Sequence, residues 1–223
     1  MYVIHMTMIQ MKKRDNNMAL FPFFIDIKDK KALLIGGGKH ALEKIEKLRP
    51  FGVNLYVIAT DVCKEIETDE TIHLLRKEFE ESDLTEDFAF VIAASDDAEL
   101  NHWISKLCHR KRILVNVVDD QPYCQFIFPS LVTRGSLSVG ICTAGASPAV
   151  GVRLRKQVEE LLPDRTEEIL DWLAGKRPYI TEHIVNGKKR FAFYHKLAGI
   201  CMDENRILSE EEFLELIKME EDR

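Results

Sequence analysis

The stretch Lys31-Ala32-Leu33-Leu34-Ile35-Gly36-Gly37-Gly38-Lys39-His40-Ala41-Leu42-Glu43-Lys44 constrains this chain more than any other. An apolar run, Ala32 to Ile35, stops abruptly at three glycines, and Ala41, Leu42, Ile45 and Leu48 then recur at helical spacing. The pattern reads as a buried strand, a tight turn and a helix. Gly36, Gly38 and Ala41 match G-x-G-x-x-G/A, in which each small residue has a mechanical task. The first permits the turn, the second lets backbone approach a pyrophosphate, and the third lets the helix pack close to the strand. The start of the helix then offers N–H groups and the positive end of its dipole to phosphates. Three glycines alone would fit any loop; the strand before and the helix after supply the context of a dinucleotide-binding turn.

The rhythm repeats downstream. The first helix is expected over Ala41 to Leu48, stopping near Pro50, with a second strand over Asn54 to Ala59. Thr71 to Arg76 reads as a short strand, and Lys77-Glu78-Phe79-Glu80-Glu81 as a solvated charge run. Phe88 to Ala94 is another buried strand, followed by Ser95-Asp96-Asp97 and a helix over Ala98 to Arg110. Ile113 to Val118 is the next strand, ending in Asp119-Asp120. Buried strand, polar loop and amphipathic helix in alternation predict an α/β fold with a Rossmann-type parallel sheet, whose ligands collect outside the carboxyl ends of the strands.

Both flanks differ. Residues 1–20 read as a leader, and Phe21 to Ile27 as an opening strand or an extended arm. The Rossmann domain is expected over 21–120. Beyond it, Phe126-Ile127-Phe128-Pro129 with Leu131-Val132, then Gly135, then Ser136 to Thr143, predict an antiparallel hairpin within a strand-rich region over 121–147. Ser147 and Pro148 suit the N-cap and first position of a helix running to about Leu162. Thr166 to Gly175 and Glu210 to Met219 read as further helices, with a turn at Asn186-Gly187 between them, so 148–223 is expected to be a small helical domain.

With a formal net charge of −6, global attraction to nucleic acid or to an anionic membrane is not expected. No apolar run approaches the ~20 residues of a membrane span. Five cysteines, odd in number and widely spaced, suit free thiols in a reducing cytoplasm better than a disulfide framework or a zinc site. None of the seven histidines is spaced like a metal ligand set.

Taken together, Phe21-Pro22, Gly36-Gly37-Gly38, Ala93-Ala94-Ser95-Asp96-Asp97, Leu114-Val115-Asn116-Val117-Val118-Asp119, Phe126-Ile127-Phe128-Pro129 and Thr143-Ala144-Gly145-Ala146-Ser147-Pro148 closely resemble the precorrin-2 dehydrogenase family, also the N-terminal module of siroheme synthase. The resemblance covers roughly residues 20–163; the region from Asp164 is far less diagnostic. It implies oxidation of precorrin-2 to sirohydrochlorin with NAD on the route to siroheme. It also implies a homodimer that exchanges the strands following the Rossmann domain. Some family members also insert Fe²⁺, so a bifunctional dehydrogenase and ferrochelatase is one alternative. A nucleotide-responsive Rossmann sensor without turnover is another.

Asp119, at the end of a buried strand, is the expected catalytic residue. Position alone favours a turn or capping aspartate; the resemblance turns it into the carboxylate that removes a proton as hydride leaves. For the cofactor the candidates are Gly36, Gly38, Lys39, His40, Thr60, Asp61, Ser95 and Asn116. Asn116, an amide in an apolar strand, needs partners that are either cofactor or backbone. A ribose-binding acid is expected ~20 residues after the glycines. Asp61 comes one residue late, leaving Thr60 and backbone to share the task. No arginine stands nearby for a 2′-phosphate, which favours NAD over NADP. For a carboxylate-rich tetrapyrrole the candidates are Arg153 and Arg155, with Thr143 and Ser147 from the polar loop; Lys156, Arg134 and Lys39 are further cations. The bland readings are a solvated basic face, a strand end and a helix cap.

Overall fold

The computed structural model describes residues 20–221, so the leader expected over 1–20 lies outside them apart from Leu20. The chain divides into two compact units, Met1–Phe126 and Ile127–Arg223.

The first unit is built on a five-stranded parallel sheet. Its strands are β1 (Lys31–Ile35), β2 (Asn54–Ile58), β3 (His73–Leu75), β4 (Phe88–Ala93) and β5 (Leu114–Val117), in the order β3-β2-β1-β4-β5. Helix α1 (Lys39–Leu48) joins β1 to β2, and α3 (Ala98–Lys111) joins β4 to β5. A one-turn helix, α2 (Lys64–Glu67), lies in the acidic segment before β3. Ala32 to Ile35 are buried on both faces of the sheet, as a central parallel strand requires, which is why the run reads as continuously apolar. Ala41, Ile45 and Leu48 bury one face of α1, and Ile104, Leu107 and Cys108 of α3 join the sheet core.

The register matters most for function. Ile35 is level with Ile58 on one side and Ala93 on the other, and Ala93 is level with Val117. The segments that leave β1, β2, β4 and β5 therefore emerge along one edge. Backbone bonds knit them there: Gly36 N–H donates to Ile58 at 2.9 Å, Ala94 to Ile35 at 2.8 Å, and Val118 to Ala93 at 2.9 Å.

Phe21 to Ile27 is neither strand nor helix, and Phe21, Phe23 and Phe24 are exposed, which settles that segment as an arm. The charge run is a correction. Phe79 is only 8% exposed and belongs to the core, because a single buried ring outweighs its charged neighbours.

The second unit begins with an antiparallel pair, β6 (Ser130–Arg134) and β7 (Leu137–Ile141), turning at Gly135 with φ +54°. Phe126 to Pro129, expected to extend the first of these strands, is not part of it; Pro129 has no N–H to donate to a ladder. Helix α4 (Pro148–Leu161) is capped by Ser147, whose Oγ accepts from the Val150 N–H at 3.3 Å. Helices α5 (Thr166–His183), α6 (Gly187–Asp203) and α7 (Glu210–Glu221) enclose Ile169, Ile180, Phe193, Leu197, Phe213 and Ile217. Two expectations fail here. The helix expected to end at Gly175 continues through Pro178, and the turn at Asn186-Gly187 is the start of α6, with Asn186 Oδ1 accepting from Lys188 and Lys189 N–H. Asparagine serves turns and N-caps equally well, so the dipeptide does not choose between them.

Candidate functional site

The glycine turn is shaped by what surrounds it. Gly36 has φ +126°, and a Cβ there would lie 2.3 Å from the Ala94 carbonyl oxygen. A Cβ on Gly37 would lie 2.1 Å from the Asp61 carbonyl oxygen, while the Gly37 carbonyl accepts from Cys63 N–H at 2.8 Å. Gly37 occupies a free position of the motif, yet it is as constrained as Gly36. Gly38 is the reverse: a Cβ there would meet nothing within 4 Å. As N-cap of α1 it supplies no side chain, so no side-chain cap covers the first turn. Ala41 is fully buried, letting α1 sit close to the sheet. Bare backbone, open space and a positive dipole end together fit a pyrophosphate.

The turn opens on a cleft of about 710 Å³. Gly36, Gly38, Thr60, Asp61 and Ser95 line it; Lys39, His40, Asn116 and Asp119 do not. Lys39 and His40 stand exposed at the start of α1. Asp61 reaches the cleft despite its late position, and Thr60 Oγ1 donates to its Oδ2 at 3.3 Å. Ser95 is held by Asn101, whose Oδ1 accepts from the Ser95 hydroxyl at 2.8 Å and whose Nδ2 donates to the Ser95 carbonyl at 2.8 Å. Asp97 caps α3 by accepting from Glu99 and Leu100 N–H. Asn101 was missed by sequence reasoning; its only signal was a polar residue on the buried stripe of α3. Lys77 and Glu78 also line the cleft, and their reading as solvated charge concealed this.

Asn116 is buried and turns its amide toward backbone: Nδ2 donates to the Phe126 carbonyl at 3.0 Å. Its Oδ1 has no hydrogen-bond partner among the described residues.

Asp119 lies on the same carboxyl edge, two residues beyond β5, and is exposed. Its φ is +60°, a conformation side chains disfavour. The neighbouring groups are tied down. Asp120 Oδ2 pairs with His102 Nε2 at 2.6 Å, the His102 ring stacks on Tyr123 at 3.8 Å, and the Cys124 thiol accepts from Val117 N–H at 3.2 Å. Asp120 is thus the structural aspartate of the pair. Burial pushes the Lys44 ammonium below the usual lysine range and Lys47 pushes it further, while the Asp119 charge draws it back up.

The second unit carries the other candidates. Thr143 Oγ1 accepts from Ser147 N–H at 3.4 Å and donates to the Ser147 carbonyl at 3.2 Å, closing a loop in which Ala144 and Gly145 have φ +49° and +77°. Arg155 pairs with Glu159 one turn on, at 2.6 Å, and Arg153 is exposed. Among the described residues no group of His, Cys, Asp and Glu is placed to hold a metal ion, and no helix is long and apolar enough to cross a membrane.

Residues 23–130 match the family model NAD_binding_7, described as "Putative NAD(P)-binding". The chain is 38% identical over 184 residues to the siroheme synthase of Buchnera aphidicola subsp. Acyrthosiphon pisum (strain APS), covering 81% of this chain and 38% of that protein. It is 37% identical over 186 residues to siroheme synthase 2 of Yersinia pestis (strain Pestoides F), covering 82% of this chain and 39% of that one. The chain thus spans under two fifths of the length of these relatives. A solved structure, "SirC, precorrin-2 dehydrogenase", superposes with a TM-score of 0.64 over 92% of this chain and 100% of that chain, at 24% identity, a likeness of fold. With its glycine turn on a parallel sheet, a match to an NAD(P)-binding family model, and 37% to 38% identity across four fifths of its sequence, the chain is related to part of the siroheme synthases.

Proposed function

We propose that this chain oxidises precorrin-2 to sirohydrochlorin with NAD⁺ in siroheme synthesis. The observation that carries the reading is Asp119: an exposed carboxylate held at φ +60° on the edge where an uncapped glycine turn opens. When bound, the nicotinamide supplies the hydride acceptor. The chain's part is to orient it and to take the accompanying proton, which passes from the substrate carbon to the Asp119 carboxylate. Gly36, Gly38 and the first-turn N–H groups of α1 take the pyrophosphate, with Lys39 and His40 beside it. Thr60 and Asp61 take the ribose, Ser95 lines the far wall, and Asn116 fixes the strand that presents Asp119. The acid at Asp61 and the lack of an arginine among the residues lining the cleft favour NAD over NADP.

Arg153 and Arg155 grip substrate carboxylates, with Thr143 and Ser147 shaping the loop before them. The molecule acts as a homodimer: Val150 and Leu154, one turn apart on α4, are apolar and exposed, a face that a second copy would cover. Five free cysteines suit a reducing cytoplasm.

The test is the absorbance of precorrin-2 with and without NAD⁺. The wild-type chain should form sirohydrochlorin only with NAD⁺, and Asp119→Asn should bind NAD⁺ and form it at least about 100-fold more slowly. No NAD⁺-dependent change in the wild type would refute the reading. Sirohydrochlorin and Fe²⁺ without NAD⁺ would show whether iron insertion accompanies it.

A further inference from the structure

Among the described residues that line the cleft, Lys77 is the sole basic side chain. It lies two residues beyond β3, and its N–H donates to the Leu75 carbonyl at 3.1 Å. Leu75 is level with Ile58 at the end of β2, and its carbonyl also accepts from Ala59 N–H at 3.3 Å. Lys77 thus stands beside the Thr60-Asp61 segment, where a dinucleotide fold receives the ribose that carries a 2′-hydroxyl in one cofactor and a 2′-phosphate in the other. A lysine here would ordinarily greet the phosphate.

This lysine is already engaged. Its Nζ lies 2.9 Å from Asp83 Oδ1 and 3.8 Å from Glu80 Oε2. Asp83 is a fixed partner: its other oxygen accepts from Glu80 N–H at 2.8 Å within a reciprocal capping box, and its side chain is 18% exposed. The hydrogen bond that Lys77 donates to Asp83 holds its ammonium above its ordinary range, so it stays charged and paired. Asp61, Glu78, Asp96 and Asp97 also line the cleft. A 2′-phosphate, a dianion at neutral pH, would meet carboxylates and a cation already neutralised. A 2′-hydroxyl could donate to Asp61.

We propose that the Lys77–Asp83 ion pair selects the cofactor by withholding Lys77 from a 2′-phosphate, so that breaking the pair admits the phosphorylated dinucleotide. The proposal rests on the nucleotide-binding reading above.

Titration calorimetry of the full chain with NAD⁺ and NADP⁺ tests it. The wild type should bind NAD⁺ at least about tenfold tighter, the worth of one charge-assisted hydrogen bond. Asp83→Asn, which keeps an oxygen for Glu80 N–H, should tighten NADP⁺ by about tenfold and leave NAD⁺ within about twofold. Adding Lys77→Gln to Asp83→Asn should erase that gain. Lys77→Gln alone should leave the NADP⁺ affinity of the wild type within about twofold, a check independent of how well Asp83→Asn folds. The proposal is overturned if Asp83→Asn binds NAD⁺ but gains nothing for NADP⁺, or if the gain survives Lys77→Gln. A tenfold NADP⁺ loss in Lys77→Gln alone would also overturn it. A wild type that binds neither nucleotide would instead bring down the nucleotide reading itself.

Discussion

Two turns leave the same edge of the sheet and treat a strained backbone in opposite ways. After β1 the chain dispenses with side chains, because the Ala94 and Asp61 carbonyls occupy the places where Cβ atoms of Gly36 and Gly37 would be. After β5 the chain also enters the φ > 0 region, yet keeps a carboxylate there, at Asp119. A non-glycine residue in that region costs about 1 kcal/mol, and a glycine would remove the cost. The difference separates two ways of serving a ligand. On the proposed function, backbone N–H groups would be the recognition element at the first turn, where side chains obstruct, and a carboxylate would be the reagent at the second, where strain is tolerated to present it. A third turn, after β4, takes neither course: Asp97 caps α3 and Ser95 is fastened to Asn101.

The sharpest way to break this contrast is at Asp119. Asp119→Ala and Asp119→Asn should each lower the rate of precorrin-2 oxidation by about 10²- to 10⁴-fold, the usual worth of a general base, with NAD⁺ affinity retained. Turnover kinetics and calorimetry on the same samples decide it, and an active Asp119→Asn would end the distinction between the two turns. Next in size is Gly36→Ala, where overlap with Ala94 should destabilise the first unit by about 3 kcal/mol in urea. It should also abolish protection by NAD⁺, which at about 100-fold excess over Kd adds ~2.7 kcal/mol to a binding-competent protein. Gly38→Ala is the matched control: its stability should change by under about 1 kcal/mol while its nucleotide affinity falls. Asp97→Ala should cost about 1 kcal/mol through the lost cap and leave the rate nearly unchanged. The smallest effect is the most particular: Asp119→Gly should gain about 0.5–1 kcal/mol in stability while losing activity.

The first unit was legible because its strands are buried on both faces, so each appears as an apolar run broken by polar loops. The switch from strand to helix around Gly36–Gly38 needed no tertiary information. Thr60 and Asp61 were legible from their spacing after the glycines, and Ser95 from its place at the end of a buried strand and from the family resemblance; all three line the cleft. Lys77 and Asn101 could not, because their positions depend on how loops distant in sequence return to that edge. Phe79 lay among charges whose number drew attention from the one ring that packs. In the second unit, α5 passes Gly175 and Pro178 because Ile180 and Ile184 are buried beyond them, so packing outweighs local propensity. Helix α6 was hidden by Asn186-Gly187, which carries the same residue chemistry whether a chain turns or begins a helix.

The 2.3 Å between a hypothetical Gly36 Cβ and the Ala94 oxygen has a consequence for how such a chain can diverge. The two segments are neighbours in space and strangers in sequence, each the mould of the other. Mutational drift that moves the backbone after Ala93 reshapes the glycine turn, and a methyl group gained at residue 36 must displace residue 94. Descendants of this chain are free to rewrite these two segments only in concert.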